Sequence, residues 1–172
     1  SGTHTISTAL FGVLRPGDEL LYITGRPYDT LHKVVGKPGD GTGSLADFGI
    51  GYKETALTSD GKIDWDEVAL SINDQTKVIG IQRSRGYDWR SSFTVAEIGE
   101  MVTRVKALKP ELIVFVDNCY GEFTEMLEPP QVGADLVAGS LIKNPGGGIA
   151  ETGGYICGRS DLVELAAYRL TA

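Results

Sequence analysis

The chain has 172 residues, of which 41% are hydrophobic and 23% charged, and its 16 basic and 23 acidic side chains give a net charge of −7. This balance is typical of a folded globular protein and excludes intrinsic disorder as a starting assumption. The acidic charge also argues against a general role on nucleic acid or anionic membrane, because phosphate groups recruit basic faces. Cys119 and Cys157 form no metal-spaced pair, so no metal site is predicted. With no bilayer-length apolar run and no signal-peptide pattern, we expect a cytoplasmic protein with free thiols.

The first third of the chain alternates helical and extended patterns. Ile6, Leu10, Val13 and Leu14 recur at helical spacing and predict a helix over residues 2–14. The next predicted elements are a short strand at 19–23, a short helix after residues 27–30, a glycine-rich loop at 36–44 and a weakly signalled strand near 48–53.

Two capping boxes predict helix starts in the middle of the chain. Asp64 with Glu67, and Thr94 with Glu97, place an acid three residues after a capping side chain. The second box opens a long amphipathic helix. Further strands are predicted at 77–82, 112–116, 135–138 and 154–157, before a final helix from about Ser160.

Strands and helices therefore alternate, which predicts an open, mostly parallel α/β sheet. Residues 112–116 are almost wholly apolar, as expected of a strand covered by helices on both faces. Ligands in such sheets bind at the carboxyl ends of the strands. The places to look for a site are the loops after Val116 and Ala138 and the N-terminus of the first helix.

Two titratable residues stand at these strand ends. Asp117 follows the most apolar strand, where an ionised carboxyl group needs a cationic partner or serves as a cap for the next turn. Lys143 lies in a loop of small residues after another predicted strand. Desolvated lysine forms Schiff bases with carbonyl ligands, although a lone loop lysine is more often merely solvated.

A third feature is the segment Ser1-Gly2-Thr3 at the predicted start of the first helix. The free N–H groups and the positive dipole end of a helix favour an anion there, and a glycine permits close approach. Ordinary capping explains a glycine at a helix start more often than ligand binding does. The segment is therefore evidence for an anion site only in combination with Asp117 and Lys143.

Four segments in order resemble the pyridoxal 5′-phosphate (PLP) enzymes of cysteine and methionine metabolism, which include methionine γ-lyase and the cystathionine lyases and synthases. Residues 116–120 (VDNCY) and 132–143 (VGADLVAGSLIK) resemble the family patterns V-D-N-T-[YF] and G-A-D-[LIV]-V-x-[HG]-S-x-T-K. Ser1-Gly2-Thr3 resembles the S-G-M phosphate loop, and Tyr28 resembles the tyrosine of the Y-G-x-T motif. The sequence segments SGTHTI, GRPYDT and IQRSRGY are most similar to those of the subgroup called aluminium-resistance or methionine γ-lyase-like proteins.

The resemblance implies a three-layer α/β sandwich whose mostly parallel sheet carries one antiparallel strand. This is the large, cofactor-binding domain of the aminotransferase-like PLP enzymes of fold type I, which has seven strands where about six are predicted here. Residues 1–172 would be a single PLP-binding domain excised from a longer chain, with the family's first strand before Ser1 and its small domain after Ala172. The active site would form at the interface of a homodimer or homotetramer, so the isolated domain would be inactive.

The resemblance also implies a role for each matching residue. Lys143 would hold PLP as an aldimine and would shuttle the proton at the α-carbon of the amino-acid substrate. Asp117 would pair with the protonated pyridine nitrogen, so that the ring can accept electrons. The hydroxyl of Ser140 and the backbone of Gly2 and Thr3 would bind the phosphate.

The remaining matches and departures leave alternatives open. Tyr28 would stack on the ring and assist the leaving group, although a structural role for a partly buried tyrosine is equally consistent. Ile142 replaces a family threonine near the phosphate, and His4 stands at a usually small position. The family segment S-P-x-N-P, whose asparagine contacts the ring 3-oxygen, is replaced by RSRGY. Arg83 and Arg85 are candidates for a substrate carboxylate or that oxygen, unless they are simply solvated.

The favoured function is a PLP-dependent lyase that acts on a sulfur-containing amino acid by β- or γ-elimination. The arginine that grips the substrate's α-carboxylate belongs to the family's small domain, so no residue is named for it here. A PLP-fold protein with a binding or regulatory role stays open, as does another PLP reaction such as transamination. A Rossmann-like nucleotide-binding domain is disfavoured, because no G-x-G-x-x-G follows a strand and no P-loop is present.

Overall fold

A computed structural model describes residues 1–171, and Ala172, the last residue of the predicted domain, lies outside the described part. In chain order the regular elements are α1 (Gly2–Val13), β1 (Glu19–Tyr22), α2 (Asp29–Val35), β2 (Gly51–Glu54), α3 (Trp65–Ser71), β3 (Thr76–Gln82), α4 (Val95–Leu108), β4 (Ile113–Asp117), β5 (Leu136–Ser140), β6 (Gly154–Gly158) and α5 (Ser160–Thr171). Short 3-10 turns connect some of them. Within residues 1–171, no helix has both the length and the apolarity needed to cross a bilayer.

The six strands form one sheet in the order β2-β1-β3-β4-β5-β6. All neighbouring pairs from β2 to β5 are parallel, and β6 runs antiparallel to β5. The predicted mostly parallel sheet with one antiparallel strand is therefore confirmed. Because the five parallel strands run the same way, their carboxyl ends meet along one edge.

Helices cover both faces of the sheet and give the predicted three layers. On one face, which we call the α1 face, α1, α2 and α5 pack on side chains such as Phe115 of β4. On the other, the α4 face, α3 and α4 pack on side chains that include Val114 and Val116 of the same strand. This alternation follows from the two-residue period of a strand, and it explains why β4 is apolar at successive positions.

Helix α1 is held against α5 by a backbone-to-backbone contact. A Cβ atom added at Gly12 of α1 would lie only 2.7 Å from the Cα atom of Ala166 in α5. A larger residue at Gly12 would therefore force the two helices apart. The contact fixes the direction of α1, whose N-terminus lies beside the ends of β4 and β5.

Two local predictions differ in detail from the structure. The strand expected near 48–53 begins at Gly51, because residues 46–48 form a 3-10 turn that ends at Gly49 in the left-handed region (φ 74°). The capping box at Thr94 and Glu97 is complete, with both hydrogen bonds present. At Asp64 only the first bond is made, from the backbone N–H of Glu67 to the aspartate side chain.

Asp135, in the segment before β5, links three elements near the amino ends of the strands. Its carboxylate accepts hydrogen bonds from the backbone N–H of Val114 (2.8 Å) and from Lys106 of α4 (2.7 Å). It also pairs with Arg159, just before α5, at 3.3 Å. The side chain is only 9% exposed, so these partners compensate the cost of burying its charge.

We predict that Asp135→Ala lowers the free energy of unfolding by about 2–4 kcal/mol, because it leaves the N–H of Val114 without a partner and Lys106 without its counter-charge. The control is Asp161→Ala, which removes an exposed partner of Arg159 and should change stability little. Urea unfolding of the full-length protein followed by circular dichroism measures both. Equal losses in the two variants would contradict this account.

Candidate functional site

Three segments converge at the carboxyl ends of the central strands, on the α1 face. Asp117 is the last residue of β4, and Ser140 is the last residue of the neighbouring strand β5. Gly2 is the first residue of α1, and Lys143 follows β5 by three positions. The structure thus places these four predicted residues at the strand ends where the sequence analysis looked for a site.

The N-terminus of α1 approaches the strand ends closely because residue 2 is a glycine. A Cβ atom at Gly2 would lie 3.0 Å from Sγ of Cys119 and 3.3 Å from Cβ of Ser140. Such contacts are tighter than ordinary van der Waals distances, so a side chain at this position would require its neighbours to shift by a few tenths of an ångström. The absence of a side chain therefore brings the helix terminus against Ser140.

This junction has the properties of an anion site. Ser140 is fully buried, and its hydroxyl has no hydrogen-bond partner among residues 1–171. Ser1 makes no side-chain cap, so the first N–H groups of α1 are not used by a capping side chain. A buried hydroxyl without a partner is costly, and a helix N-terminus attracts negative charge, so the two together suit a phosphate.

Asp117 is buried at the floor of this region. Burial raises the pKa of Asp117, while hydrogen bonds from Cys119 and the charge of Lys143 oppose that rise. One of the bonds runs from the backbone N–H of Cys119 to Oδ1 of Asp117, at 3.1 Å. A cation placed against this carboxyl group would favour its ionised form.

Lys143 lies beside the same loops. Its ammonium nitrogen is 4.2 Å from the centre of the Tyr120 ring, a cation–π contact. Burial alone lowers the pKa of Lys143, but Cys119, Tyr120 and Asp117 outweigh that effect, and the net result is a raised pKa. The side chain is thus an ammonium at neutral pH and must lose a proton before it can act as a nucleophile.

Tyr28 and Thr3 meet at the same helix end. The hydroxyl of Tyr28 is hydrogen-bonded to Oγ1 of Thr3, which also lies 2.7 Å from Oγ1 of Thr30. The backbone N–H of Tyr28 donates to Oε1 of Gln82, the last residue of β3, at 2.8 Å. All six predicted site residues therefore belong to one neighbourhood, with Tyr28 joined to it through Thr3.

Arg83 does not have the free guanidinium that binding a substrate carboxylate requires. The side chain is 3% exposed and donates to Oδ1 of Asn118 (2.8 Å), the carbonyl of Gly121 (2.9 Å) and Oε1 of Glu125 (2.6 Å). It therefore fastens the loop after β4, and it is neither solvated nor available to a ligand. Arg85, by contrast, is exposed.

Two other departures from the family pattern, at residues 4 and 142, lie at the surface. His4 is exposed on α1, and Ile142 is 43% exposed beside Lys143. Neither side chain is brought into the buried group around Asp117. The position of His4 agrees with the interpretation that it is one helical residue among others.

Sequence reasoning missed residues that the structure places in the same group. Cys119 is buried, its thiol interacts with both Asp117 and Lys143, and burial raises its pKa to about 12, so it is a neutral thiol. Gln82 and Tyr120 contact predicted site residues directly. The position of Cys119 and Tyr120, two and three residues after Asp117, was a signal that could have found them.

A cleft of about 1220 Å³ lies elsewhere and contains none of the six predicted site residues. Arginines in it already stack on aromatic rings: Arg104 lies over Trp65 at 5.1 Å, and Arg90 lies over Phe93 at 4.5 Å. The lysine that lines the cleft, Lys62, pairs with the exposed carboxylate of Asp60 at 2.9 Å, not with a buried one. The chemistry is concentrated around Asp117 and Lys143.

The groups at the strand ends match the parts of PLP. A helix terminus with the unpartnered hydroxyl of Ser140 suits the phosphate, the carboxyl group of Asp117 suits a ring nitrogen, and the amine of Lys143 suits an aldehyde. Fold and site together define the class: the large, cofactor-binding domain of fold type I PLP enzymes. Within that class the chain belongs to the methionine γ-lyase family, whose model matches residues 1–172.

Comparison with individual relatives shows to which subgroup of the family the chain is similar. It is 65% identical over 173 residues to the uncharacterised protein YnbB of Bacillus subtilis, covering 100% of this chain and 41% of that protein. A Listeria monocytogenes protein, named provisionally as a cystathionine beta-lyase involved in aluminium resistance, is 62% identical with a TM-score of 0.97, over 99% of this chain and 43% of that one. The resemblance to the aluminium-resistance subgroup is confirmed.

A more distant solved structure includes the cofactor. It is a Campylobacter jejuni protein named provisionally as an O-acetylhomoserine (thiol)-lyase, and it contains N′-pyridoxyl-lysine-5′-monophosphate. It is 25% identical with a TM-score of 0.69, over 96% of this chain and 36% of that one. Since the chain spans 41% of the length of YnbB and similar shares of the others, these comparisons concern the part of each relative that it matches.

We predict that Arg83→Met lowers the free energy of unfolding by about 2–4 kcal/mol, because it leaves Asn118 and the partly exposed Glu125 without their cation. Arg85→Met, two residues along the same loop, is the matched control and should change stability little. Urea unfolding of the full-length protein compares the two. If Arg85→Met were the more damaging, the structural role of Arg83 would be wrong.

Proposed function

We propose that this chain is the cofactor-binding domain of a PLP-dependent carbon–sulfur lyase, which acts on a sulfur-containing amino acid by β- or γ-elimination. The observation that carries the proposal is the grouping of Lys143, Asp117 and the unpartnered Ser140 hydroxyl beside the N-terminus of α1. The names of the Listeria and Campylobacter relatives, and the pyridoxyl-lysine in the latter, support it.

Bound PLP would supply an electron sink for chemistry at the α-carbon of an amino acid. Asp117 would hold the ring nitrogen, and its ionised form would be maintained by that nitrogen's proton together with the N–H of Cys119. Ser140 and the first N–H groups of α1 would orient the phosphate. The close approach at Gly2 would keep bulk water away from that end.

Lys143 would carry the cofactor and would afterwards move a proton at the substrate's α-carbon. Its contact with Tyr120 limits where the amine can lie. Tyr28 would stack on the ring and assist departure of the sulfur leaving group, with its hydroxyl positioned by Thr3. The substrate carboxylate would be bound by an arginine of the small domain expected after this chain.

The experiment uses the natural full-length protein. It should show a visible absorption band of lysine-bound PLP that borohydride bleaches, and Lys143→Ala should abolish the band because, among residues 1–171, Lys143 is the amine that acts on Asp117. Lys33→Ala, which removes a lysine on α2, is the control and should keep the band. Mass spectrometry of the borohydride-treated protein should locate the pyridoxyl group on Lys143.

The reaction is tested by release of a ketoacid and ammonia from cysteine, cystathionine and methionine. Release of pyruvate or 2-oxobutyrate supports the lyase. A coloured protein that releases neither from any of these substrates would support the binding or regulatory role instead, and amino-group transfer to PLP would support transamination. A wild-type protein with no band would overturn the PLP assignment.

A second copy of the protein is the partner that we propose for the surface beside the site. Large apolar side chains on the loops after β4 and β5 are exposed, among them Phe123 (77%) and Ile149 (88%). Monomeric proteins rarely leave large apolar groups clustered at the surface. A homodimer or homotetramer that buries these loops would also complete the site, so the isolated domain should be inactive.

We predict that Ile149→Asp in the full-length protein weakens self-association at least tenfold, because it places a charge in the buried apolar surface. Leu70→Asp changes an equally exposed leucine on α3 and should leave the oligomer intact. Light scattering across a dilution series gives the molar mass of both variants. Dissociation by Leu70→Asp alone would place the interface elsewhere.

A further inference from the structure

Tyr22 is the last residue of β1, and β3 lies between β1 and β4, the strand that ends at Asp117. Tyr22 is fully buried on the α1 face. A Cβ atom added at Gly80 of β3 would lie 2.5 Å from a carbon of the Tyr22 ring. The ring therefore lies over Gly80, and it extends from β1 across β3 in the direction of β4, which ends at Asp117.

The hydroxyl of Tyr22 has no hydrogen-bond partner among the described residues. A buried hydroxyl without a partner costs free energy, and a phenylalanine of the same shape would avoid that cost. Ser140 has the second unpartnered hydroxyl on this face, and it belongs to the proposed phosphate site. We therefore look for a hydrogen-bond partner for Tyr22, just as the phosphate is the proposed partner of Ser140.

Asp117 is the charged group that acts most strongly on Tyr22. Burial raises the pKa of Tyr22 well above its ordinary value, and Asp117 adds to that effect more than Tyr52 or Tyr28 does. Around Asp117 itself, Cys119 and Lys143 favour the ionised carboxylate, and Glu122 opposes it. The geometry agrees with this influence, because the Tyr22 ring lies over Gly80, and Gly80 pairs with Phe115 of β4, the strand that ends at Asp117.

We propose that Tyr22 is a positioning residue for Asp117: in the cofactor-loaded protein its hydroxyl donates a hydrogen bond to the Asp117 carboxylate. This inference rests on the proposed PLP function. The bond fixes the orientation of the carboxylate toward the ring nitrogen and stabilises its ionised form against burial. Tyr22 touches neither substrate nor reacting atoms in this role.

The proposed role predicts the direction in which the pKa of Asp117 changes when the Tyr22 hydroxyl is removed. A donor to the charged form of an acid lowers the pKa of that acid, so loss of the Tyr22 hydroxyl raises the pKa of Asp117. Asp117 then takes up a proton at a higher pH and loses its charge-assisted contact with the ring nitrogen. PLP affinity should fall as the pH is lowered, and that fall should begin at a higher pH in Tyr22→Phe.

The experiment titrates PLP into the full-length apoprotein over a series of acidic to neutral pH values, with the lysine-bound absorption band as the signal. In Tyr22→Phe the acidic limb, the range in which PLP affinity falls as the pH is lowered, should shift by about one unit to higher pH. At a given pH within that range the affinity should be about tenfold lower than in wild type. Tyr52→Phe is the control, because the Tyr52 hydroxyl is used by Glu54, and its limb should coincide with wild type.

Asp117→Asn and the double variant Tyr22→Phe/Asp117→Asn complete the cycle. Asp117→Asn has no carboxylate to titrate, so adding Tyr22→Phe to it should cause no further shift. The melting temperature of the Tyr22→Phe apoprotein should not fall, since the lost hydroxyl has no partner there.

Three results overturn the proposal. A Tyr22→Phe limb that coincides with wild type refutes it, as does the same shift in the Asp117→Asn background. A wild-type protein without a borohydride-sensitive band refutes the proposed function and this inference together. A normal band with an unmoved limb refutes the inference alone.

Discussion

The close approach of α1 to the ends of β4 and β5 is the contact on which the site depends. It depends on Gly2, because a Cβ atom there would lie 3.0 Å from Sγ of Cys119 and 3.3 Å from Cβ of Ser140, closer than ordinary contacts. It also requires the parallel pairing of β4 and β5, which brings Asp117 and Ser140 to the same edge. A helix terminus, a buried hydroxyl and a carboxyl group are thereby held at fixed relative positions.

Opposing effects act on the protonation of Asp117 and Lys143 at this edge of the sheet. Burial pushes Asp117 toward its neutral form, and the N–H of Cys119 and the ammonium of Lys143 pull it back. Lys143 in turn keeps its proton because of the groups around it. In the proposed function, a cationic ring nitrogen would relieve Asp117 and release of a proton would free Lys143, so ligand binding and proton movement would be linked at this site.

Much of the fold followed from local pattern, because the signals are local. The apolar run at β4 and the capping box at Thr94 depend on neighbours in sequence, and both were predicted. The clustering of Asp117, Ser140 and Lys143 also followed, since parallel strands place their ends together.

What the sequence could not provide was the outcome of contacts between distant segments. Arg83 looked like a loop arginine, because its burial depends on Asn118 and Glu125, which lie far along the chain. Tyr22 sits in an apolar strand pattern that predicts core packing, and nothing local indicates that its hydroxyl has no partner. The strand expected near 48–53 was displaced because Gly49 adopts a left-handed conformation that pattern alone does not require.

The contact between Gly12 of α1 and Ala166 of α5 has a consequence for how the domain assembles. The reversed direction of β6 returns the chain so that α5 can lie along α1, and their docking closes a loop that includes nearly the whole chain. Closing so long a loop is entropically costly, and contacts of such high sequence separation form slowly. We therefore expect the docking of the first helix against the last to be a late step in folding of the domain.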